Sequence, residues 1–297
     1  MPDSPPSSFA YPPPALPEGN TILLSYPAPH VLLVTLNRPA QRNAVTSAQH
    51  AALASIWDWY DSEPSLRCAV ITGAGGVAFC AGADLKEWDN TNSNTATPGQ
   101  QNQEAWRAKE QRLRNRNGGF GGLSNRLGKK PVIAAVNGLC LGGGMEMAIN
   151  CDMVVAGQNS RFGLPEVGIG VVAVAGALAR LVRSVGKQRA TEIALLGRTG
   201  YTATQMERWG LVNLVVDDGE VVKEAVKLAS GVAGNSPDAV IASREGLKLG
   251  WEGIGVETAT EVLERGLYAM MDKGENMKEG VKSFVERRRP VWRDSKL

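Results

Sequence analysis

The 297-residue chain is poor in the groups that most often carry metal or redox chemistry: it has two histidines and four cysteines. His30 and His50 lie far from any cysteine or carboxylate cluster with ligand spacing, so they read as ordinary surface or packing residues and no metal centre is expected. Cys68, Cys80, Cys140 and Cys151 sit in apolar segments without a C-x-x-C pair, which points to buried, reduced thiols and not to a disulfide framework. A large charge of one sign is also missing. With 32 basic and 30 acidic residues the net charge is +2, too balanced for nucleic acid or an anionic membrane as the main partner. The apolar runs are interrupted by glycine, glutamate and proline, so no membrane span is expected.

Residues 1–19, MPDSPPSSFAYPPPALPEG, lack the basic and apolar regions of a signal peptide and read as a disordered Pro/Ser-rich arm. The runs TILLSY (21–26) and HVLLVTL (30–36) suggest neighbouring strands, and the apolar stripe Ala51, Leu53, Ile56, Trp57, Tyr60 suggests a helix over 47–61. Buried strands are expected at CAVITG (68–73), PVIAAVNG (131–138) and CDMVVAG (151–157). The polar stretch 89–129 reads as an inserted, mobile segment holding a basic helical piece, EAWRAKEQRLR. Helical signals run from Val174 to Leu196 and again through 202–288. Strand, strand, helix recurs, and the class is α/β.

Two small-residue turns follow strands. Gly142-Gly143-Gly144 stands directly before a helical pattern and can offer free N–H groups together with the positive end of a helix dipole. Ala81-Gly82-Ala83-Asp84 can supply an opposing donor. Such donors suit the negative charge that develops on a thioester oxygen when a proton leaves, or water adds, next to it. Taken alone, the same glycines could serve only tight turns or close helix packing. Two solitary carboxylates accompany them. Glu146 is the only charged residue between Lys130 and Asp152, and Glu166 the only one between Arg161 and Arg180. Burial would push their pKa values up, while a helix N-terminus would pull Glu146 down.

Leu36-Asn37-Arg38-Pro39, Phe79-Cys80-Ala81-Gly82-Ala83-Asp84-Leu85-Lys86, and Ala134-Ala135-Val136-Asn137-Gly138 followed by Leu141-Gly142-Gly143-Gly144-Met145-Glu146 resemble the enoyl-CoA hydratase/isomerase, or crotonase, family. The likeness spans about residues 20–293. It implies a spiral of repeated ββα units over 20–201 and a C-terminal helical region over 202–293 that assembles trimers, often paired into hexamers. It further implies an oxyanion hole from the N–H groups of Ala83 and Gly143, with CoA along Ala81, Gly82, Ala83, Asp84 and Leu85. Glutamates at the positions of Glu146 and Glu166 handle water and proton in the resembled hydratases. Isomerases commonly keep only the second, so the pair favours hydration of an enoyl-CoA; double-bond isomerisation, or non-catalytic acyl-CoA or RNA binding on the same scaffold, are the alternatives. Coenzyme A belongs to the substrate, and no cofactor is expected.

One position departs from the pattern. The glycine that helps hold water in the resembled hydratases is Val174 here, whose side chain could reshape the pocket. Arg42 resembles the family's basic residue near the CoA phosphates, with Lys86 a weaker candidate, and Arg287 lies in a segment, Phe284-Val285-Glu286-Arg287, resembling one that reaches a CoA site, sometimes that of a neighbouring subunit. The last residues, Ser295-Lys296-Leu297, form a peroxisomal address read by an import receptor when exposed, and an exposed tail is expected over 294–297.

Overall fold

A computed structural model describes residues 9–16, 18–87 and 118–297. The chain starts with the antiparallel pair β1 (Ile22–Ala28) and β2 (Val31–Leu36). The first strand, expected to end at Tyr26, continues as β1 through Pro27 at the sheet edge, with a register shift between Ser25 and Ala28. Helix α1 (Ser47–Ser62) starts at a capping box, in which Gln49 N–H donates to Thr46 Oγ1 and Thr46 N–H to Gln49 Oε1. It buries Leu53, Ile56, Trp57 and Tyr60.

From there the chain spirals, and each turn places one strand in each of two sheets. β3 (Cys68–Gly73) is followed by β4 (Ala78–Cys80). β5 (Val132–Val136) is followed by β6 (Leu139–Leu141) and then helix α2 (Gly143–Asn150). β7 (Met153–Gly157) is followed by β8 (Arg161–Gly163). Helices α3 (Ala177–Val185) and α4 (Lys187–Leu196) come next, then β9 (Tyr201–Thr202), α5 (Ala203–Arg208) and β10 (Leu214–Val216). The larger sheet runs β1-β2-β3-β5-β7-β10, parallel from β2 onward; the smaller runs β4-β6-β8-β9, parallel except for β9. This is the α/β spiral that the resemblance implies. β3 and β5 are buried on both faces, which is why CAVITG and VIAAV are unbroken apolar runs. One face of the larger sheet packs under α6 (Val221–Ala233) through Val221, Ala225, Ala229 and Ala233, while the other meets α1 and the smaller sheet in the main core.

The remainder is helical: α7 (Pro237–Trp251), α8 (Val256–Leu263), a π-helical turn at Glu264–Tyr268, α9 (Ala269–Met271) and α10 (Glu275–Val285). No described helix is long and apolar enough to cross a membrane.

Three expectations change. The basic piece EAWRAKEQRLR lies outside the described residues, but the end of the 89–129 stretch is built into the core. Trp57 Nε1 donates to Gly121 O at 3.0 Å, and Gly121, Gly122, Leu123 and Ser124 are buried. Residues 1–8 and 17 of the proline-rich arm lie outside the described residues, and the arm is held at Phe9 and Tyr11. Phe9 packs on Tyr26 and Trp59, Trp59 Nε1 donates to Tyr11 O, and Tyr11 N–H donates to Glu63 Oε2. Two aromatic contacts and two hydrogen bonds offset ordering costs that the composition alone leaves uncompensated.

The C-terminal tail, expected to be free, folds back on the body. Trp292 Nε1 donates to Gly234 O, Arg67 pairs with Asp294, and Ser295 Oγ donates to Asp238 Oδ1 at 2.5 Å. Lys129 Nζ donates to Leu297 O, while the side chain of Lys296 stays exposed.

Candidate active site

The turns singled out by sequence lie at the ends of neighbouring strands of the smaller sheet. Ala81–Asp84 follows β4, Gly142-Gly143 follows β6, and Leu164-Pro165-Glu166 follows β8. The ladder pairs Cys80 with Cys140 and Leu141 with Gly163, so the three turns emerge side by side.

Within each of the first two turns one N–H is consumed and the next is left over. Gly82 N–H points at Cys80 Sγ, 3.4 Å away. Val45 N–H donates to Gly82 O and Asp84 N–H to Val45 O, two bonds that straddle Ala83 and turn its own N–H away from Val45. Gly142 N–H donates to Gly163 O at 3.0 Å, whereas Gly143 N–H, first in α2, has no acceptor among the described residues. The turns also approach closely. A Cβ on Gly82 would lie 3.6 Å from Gly143 N, and Gly82 and Gly142 have φ of +98° and +54°, where only glycine is unstrained. Packing matters as well: a Cβ on Gly143 would sit 2.4 Å from the Phe120 ring, and one on Gly144 2.3 Å from Cys80 O. The triple glycine therefore serves both packing and an open backbone donor.

Glu146 lies in the first turn of α2 and is 4% exposed. Its Oε1 accepts N–H groups from Ala175 at 2.9 Å and Ala177 at 3.4 Å. Burial dominates and drives its pKa up to about 7; the Ala177 and Ala175 N–H groups and Arg180 work against that rise, and the charge of Glu166 adds to it. The pull of the helix end does not win. Glu166 begins a short 3-10 turn, Glu166–Ile169, and its Oε1 would be 3.0 Å from a Cβ on Gly142. Burial raises its pKa too, and Oε2 is buried without a hydrogen-bond partner. Glu166 thus borders the Gly142-Gly143 turn, and its charge is close enough to act on Glu146.

Val174 is 84% exposed and its N–H has no partner among the described residues, so its side chain does not pack on Glu146. The neighbouring N–H groups of Ala175 and Ala177 are the ones that hold the carboxylate.

A groove of about 830 Å³ opens beside the Ala83 turn, lined among others by Arg42, Ala81, Asp84, Leu85 and Lys86. Ala81 N–H donates to Arg42 O at 3.0 Å, tying the basic residue to the turn. Arg287, just beyond α10, does not line this groove within one chain. Sequence reasoning passed over Arg38, which pairs with Asp84 at 2.9 Å and donates to Ala44 O, and Asn43, which caps the strand-end carbonyls of Ala74 and Ala78. It also passed over Phe120, whereas His50 is the packing residue that its isolation in the sequence suggests. The His50 ring meets Phe120 edge-on at 4.5 Å, and its Nδ1 accepts the Gly121 N–H. A backbone donor fixes Nδ1 as the acceptor, and burial lowers the pKa of His50, so it is a neutral packing group. Among the described residues no cluster of three His, Cys, Asp or Glu is placed to hold a metal.

The family model for enoyl-CoA hydratase/isomerase matches residues 28–295. A mevalonyl-coenzyme A hydratase of Beauveria bassiana is 58% identical over 291 residues, covering 98% of this chain and 100% of that protein. The mevalonyl-coenzyme A hydratase of Aspergillus fumigatus is 50% identical, covering 93% of this chain and 96% of its own length. The crystal structure of an enoyl-CoA hydratase from Bacillus anthracis superposes with a TM-score of 0.79 at 31% identity, over 92% of this chain and 99% of that one. The chain belongs to the enoyl-CoA hydratase/isomerase family.

Proposed function

We propose that the protein reversibly adds water across the 2,3 double bond of an enoyl-CoA thioester, and that its preferred acyl group is the short, branched, hydroxylated chain of mevalonyl-CoA. The observation that carries hydration is the pair of neighbouring carboxylates: Glu146, buried, poised near pH 7 and raised further by the charge of Glu166, and Glu166, half-buried with one buried oxygen unpaired. An unsatisfied buried acceptor is costly, and a bound water between the two carboxylates would satisfy it. In the hydration direction the water oxygen bonds to C3 as one carboxylate takes its proton, and the thioester oxygen carries the resulting charge between the N–H groups of Ala83 and Gly143. C2 then receives a proton from the carboxylate pair. In reverse, C2 loses a proton and the C3 hydroxyl leaves as water. Arg42 and the Ala81–Leu85 turn are assigned to CoA, with Arg42 on its phosphates.

The acyl preference rests on the two mevalonyl-coenzyme A hydratases, which match over nearly their full length. A panel of enoyl-CoA and 3-hydroxyacyl-CoA thioesters, with products read by mass, tests both levels. Loss of one water from mevalonyl-CoA, faster than from straight-chain 3-hydroxyacyl-CoA, is the expected result. Products of unchanged mass would overturn hydration, and equal rates would overturn the acyl preference.

Assembly as a trimer or hexamer is inferred from the apolar residues that one chain leaves uncovered on α10, among them Val281, Phe284 and Val285, the second of them 85% exposed. In such an assembly Arg287 would reach a neighbouring subunit's CoA groove. Light scattering of the purified protein tests it. A peroxisomal address is inferred from Ser295-Lys296-Leu297, which a receptor would read once the tail leaves Asp238 and Lys129, and import of the full chain with and without these residues tests that.

A further inference from the structure

We propose that Ser124 is a positioning residue that ties the two halves of the site together, with one hydroxyl fixing both Phe120 over Gly143 and the Ala175 peptide against Glu146. The inference rests on the hydratase reading of these residues. Ser124 is fully buried. Its Oγ accepts the Phe120 N–H at 2.7 Å and donates to Ala175 O at 2.9 Å, which bridges segments 51 residues apart in sequence. A hydroxyl has a single proton to donate, and here it is committed to Ala175.

Each end of the bridge touches a different functional group. On one side, the Phe120 ring lies against Gly143, where a Cβ would come within 2.4 Å of it, so the ring packs on the Cα of the residue whose N–H is the candidate donor. On the other, Ala175 is gripped at both of its backbone groups, with its C=O on Ser124 and its N–H on Glu146 Oε1 at 2.9 Å. The Ser124 carbonyl adds a second link. Arg180 Nη1 donates to Ser124 O at 3.2 Å and to Gly176 O at 3.4 Å, and Nη2 to Asn125 Oδ1 at 2.8 Å. Arg180 is one of the two charged groups that act on Glu146, so the bridge also holds that charge in place.

Removing the hydroxyl leaves the Phe120 N–H and the Ala175 C=O buried and unpaired, and lets the Ala175 N–H drift from Glu146. Losing a hydrogen bond to the ionised form raises the carboxylate's pKa further. For Ser124→Ala we expect kcat to fall roughly 10- to 100-fold with KM changed less than about 3-fold, as for a small displacement of reacting groups. The titration midpoint of Glu146 should move up by at least about half a unit. Ser160→Ala is the control. Ser160 is equally buried and also bridges two backbone groups, accepting from Gly138 N–H at 3.0 Å and donating to Val136 O at 2.8 Å, but it does not touch Glu146.

Both variants should lose stability, and only Ser124→Ala should shift the midpoint, followed by carbon-13 NMR of labelled glutamate in the full-length protein. An unshifted midpoint with an unchanged pH–rate profile overturns the proposal. If Ser124→Ala does not fold, Ser124→Cys, which keeps a weak donor and acceptor, takes its place with the same expected direction. The NMR titration needs no turnover. Failure of the hydratase reading would show separately, as wild-type protein inert toward every enoyl-CoA.

Discussion

Replacing Glu146 by glutamine should sharply slow hydration while making the protein more stable at alkaline pH. A rise in pKa from 4.5 to about 7 means that keeping Glu146 ionised costs the folded state about 3 kcal/mol. The sign follows from proton counts. Between the unfolded and folded pKa values the folded protein binds more protons, so stability falls as pH rises through that window and the full penalty is present above pH 7. Glutamine keeps an oxygen for the Ala175 and Ala177 N–H groups and removes the charge. Its NH₂ loses part of the gain if it finds no acceptor. We expect Glu146→Gln to unfold at higher urea than the wild type at pH 8.5, by about 1–3 kcal/mol, with the difference shrinking toward pH 5. The hydration rate, followed by loss of enoyl absorbance, should drop about 100- to 10,000-fold. Equal urea midpoints at pH 8.5 and pH 5 would refute the buried-charge argument, and near-normal turnover would refute the role of Glu146 in hydration.

Gly143→Ala places a methyl against the Phe120 ring and should shift the donor turn, lowering kcat about 100-fold or more in the same absorbance assay. Trp57→Phe removes the indole N–H from Gly121 O and should cost about 1–3 kcal/mol in urea unfolding, with a smaller effect on KM than on stability. Asp238→Ala frees Ser295 and Asn276 from their shared carboxylate, so carboxypeptidase should remove the last residues several-fold faster than from the wild type.

Local patterns carried the strands and the carboxylates into view. CAVITG became β3 residue for residue because a strand buried on both faces must be apolar throughout. Glu146 and Glu166 stood out because each is the lone charge in an apolar stretch, though only the stretch around Glu146 is core, the one around Glu166 being largely exposed. Phe120 and Ser124 were hidden by composition. Their neighbours Gly118, Gly119, Gly121 and Gly122 all adopt positive φ, so the segment looks like a linker, and only the approach of α1 and α2 shows that it is walled in. The tail and the arm misled in the same way: their polar and proline-rich character signals disorder, while their order comes from partners far away in sequence, such as Asp238 and Trp59. Val174 marked a departure that sequence could register but not weigh, since exposure of the side chain depends on the path of the Ala173–Ala177 loop.

The placement of Ala83 and Gly143 just beyond the ends of adjacent strands would give the proposed oxyanion site a built-in ruler. Neighbouring strands lie roughly 4.8 Å apart, and two N–H donors at that separation, each about 2.9 Å from one oxygen, subtend an angle of roughly 110° at it. That angle suits the two lone pairs of a charged thioester oxygen. The gauge is therefore set by the pitch of the spiral, in backbone alone, and side chains are free to vary around it without changing the grip. It also means that the register irregularity between Ala78 and Cys80, within the strand that leads into the Ala83 turn, would help decide how far Ala83 advances toward its counterpart. Inserting or deleting a single residue there would mis-set the gauge even with every catalytic side chain intact.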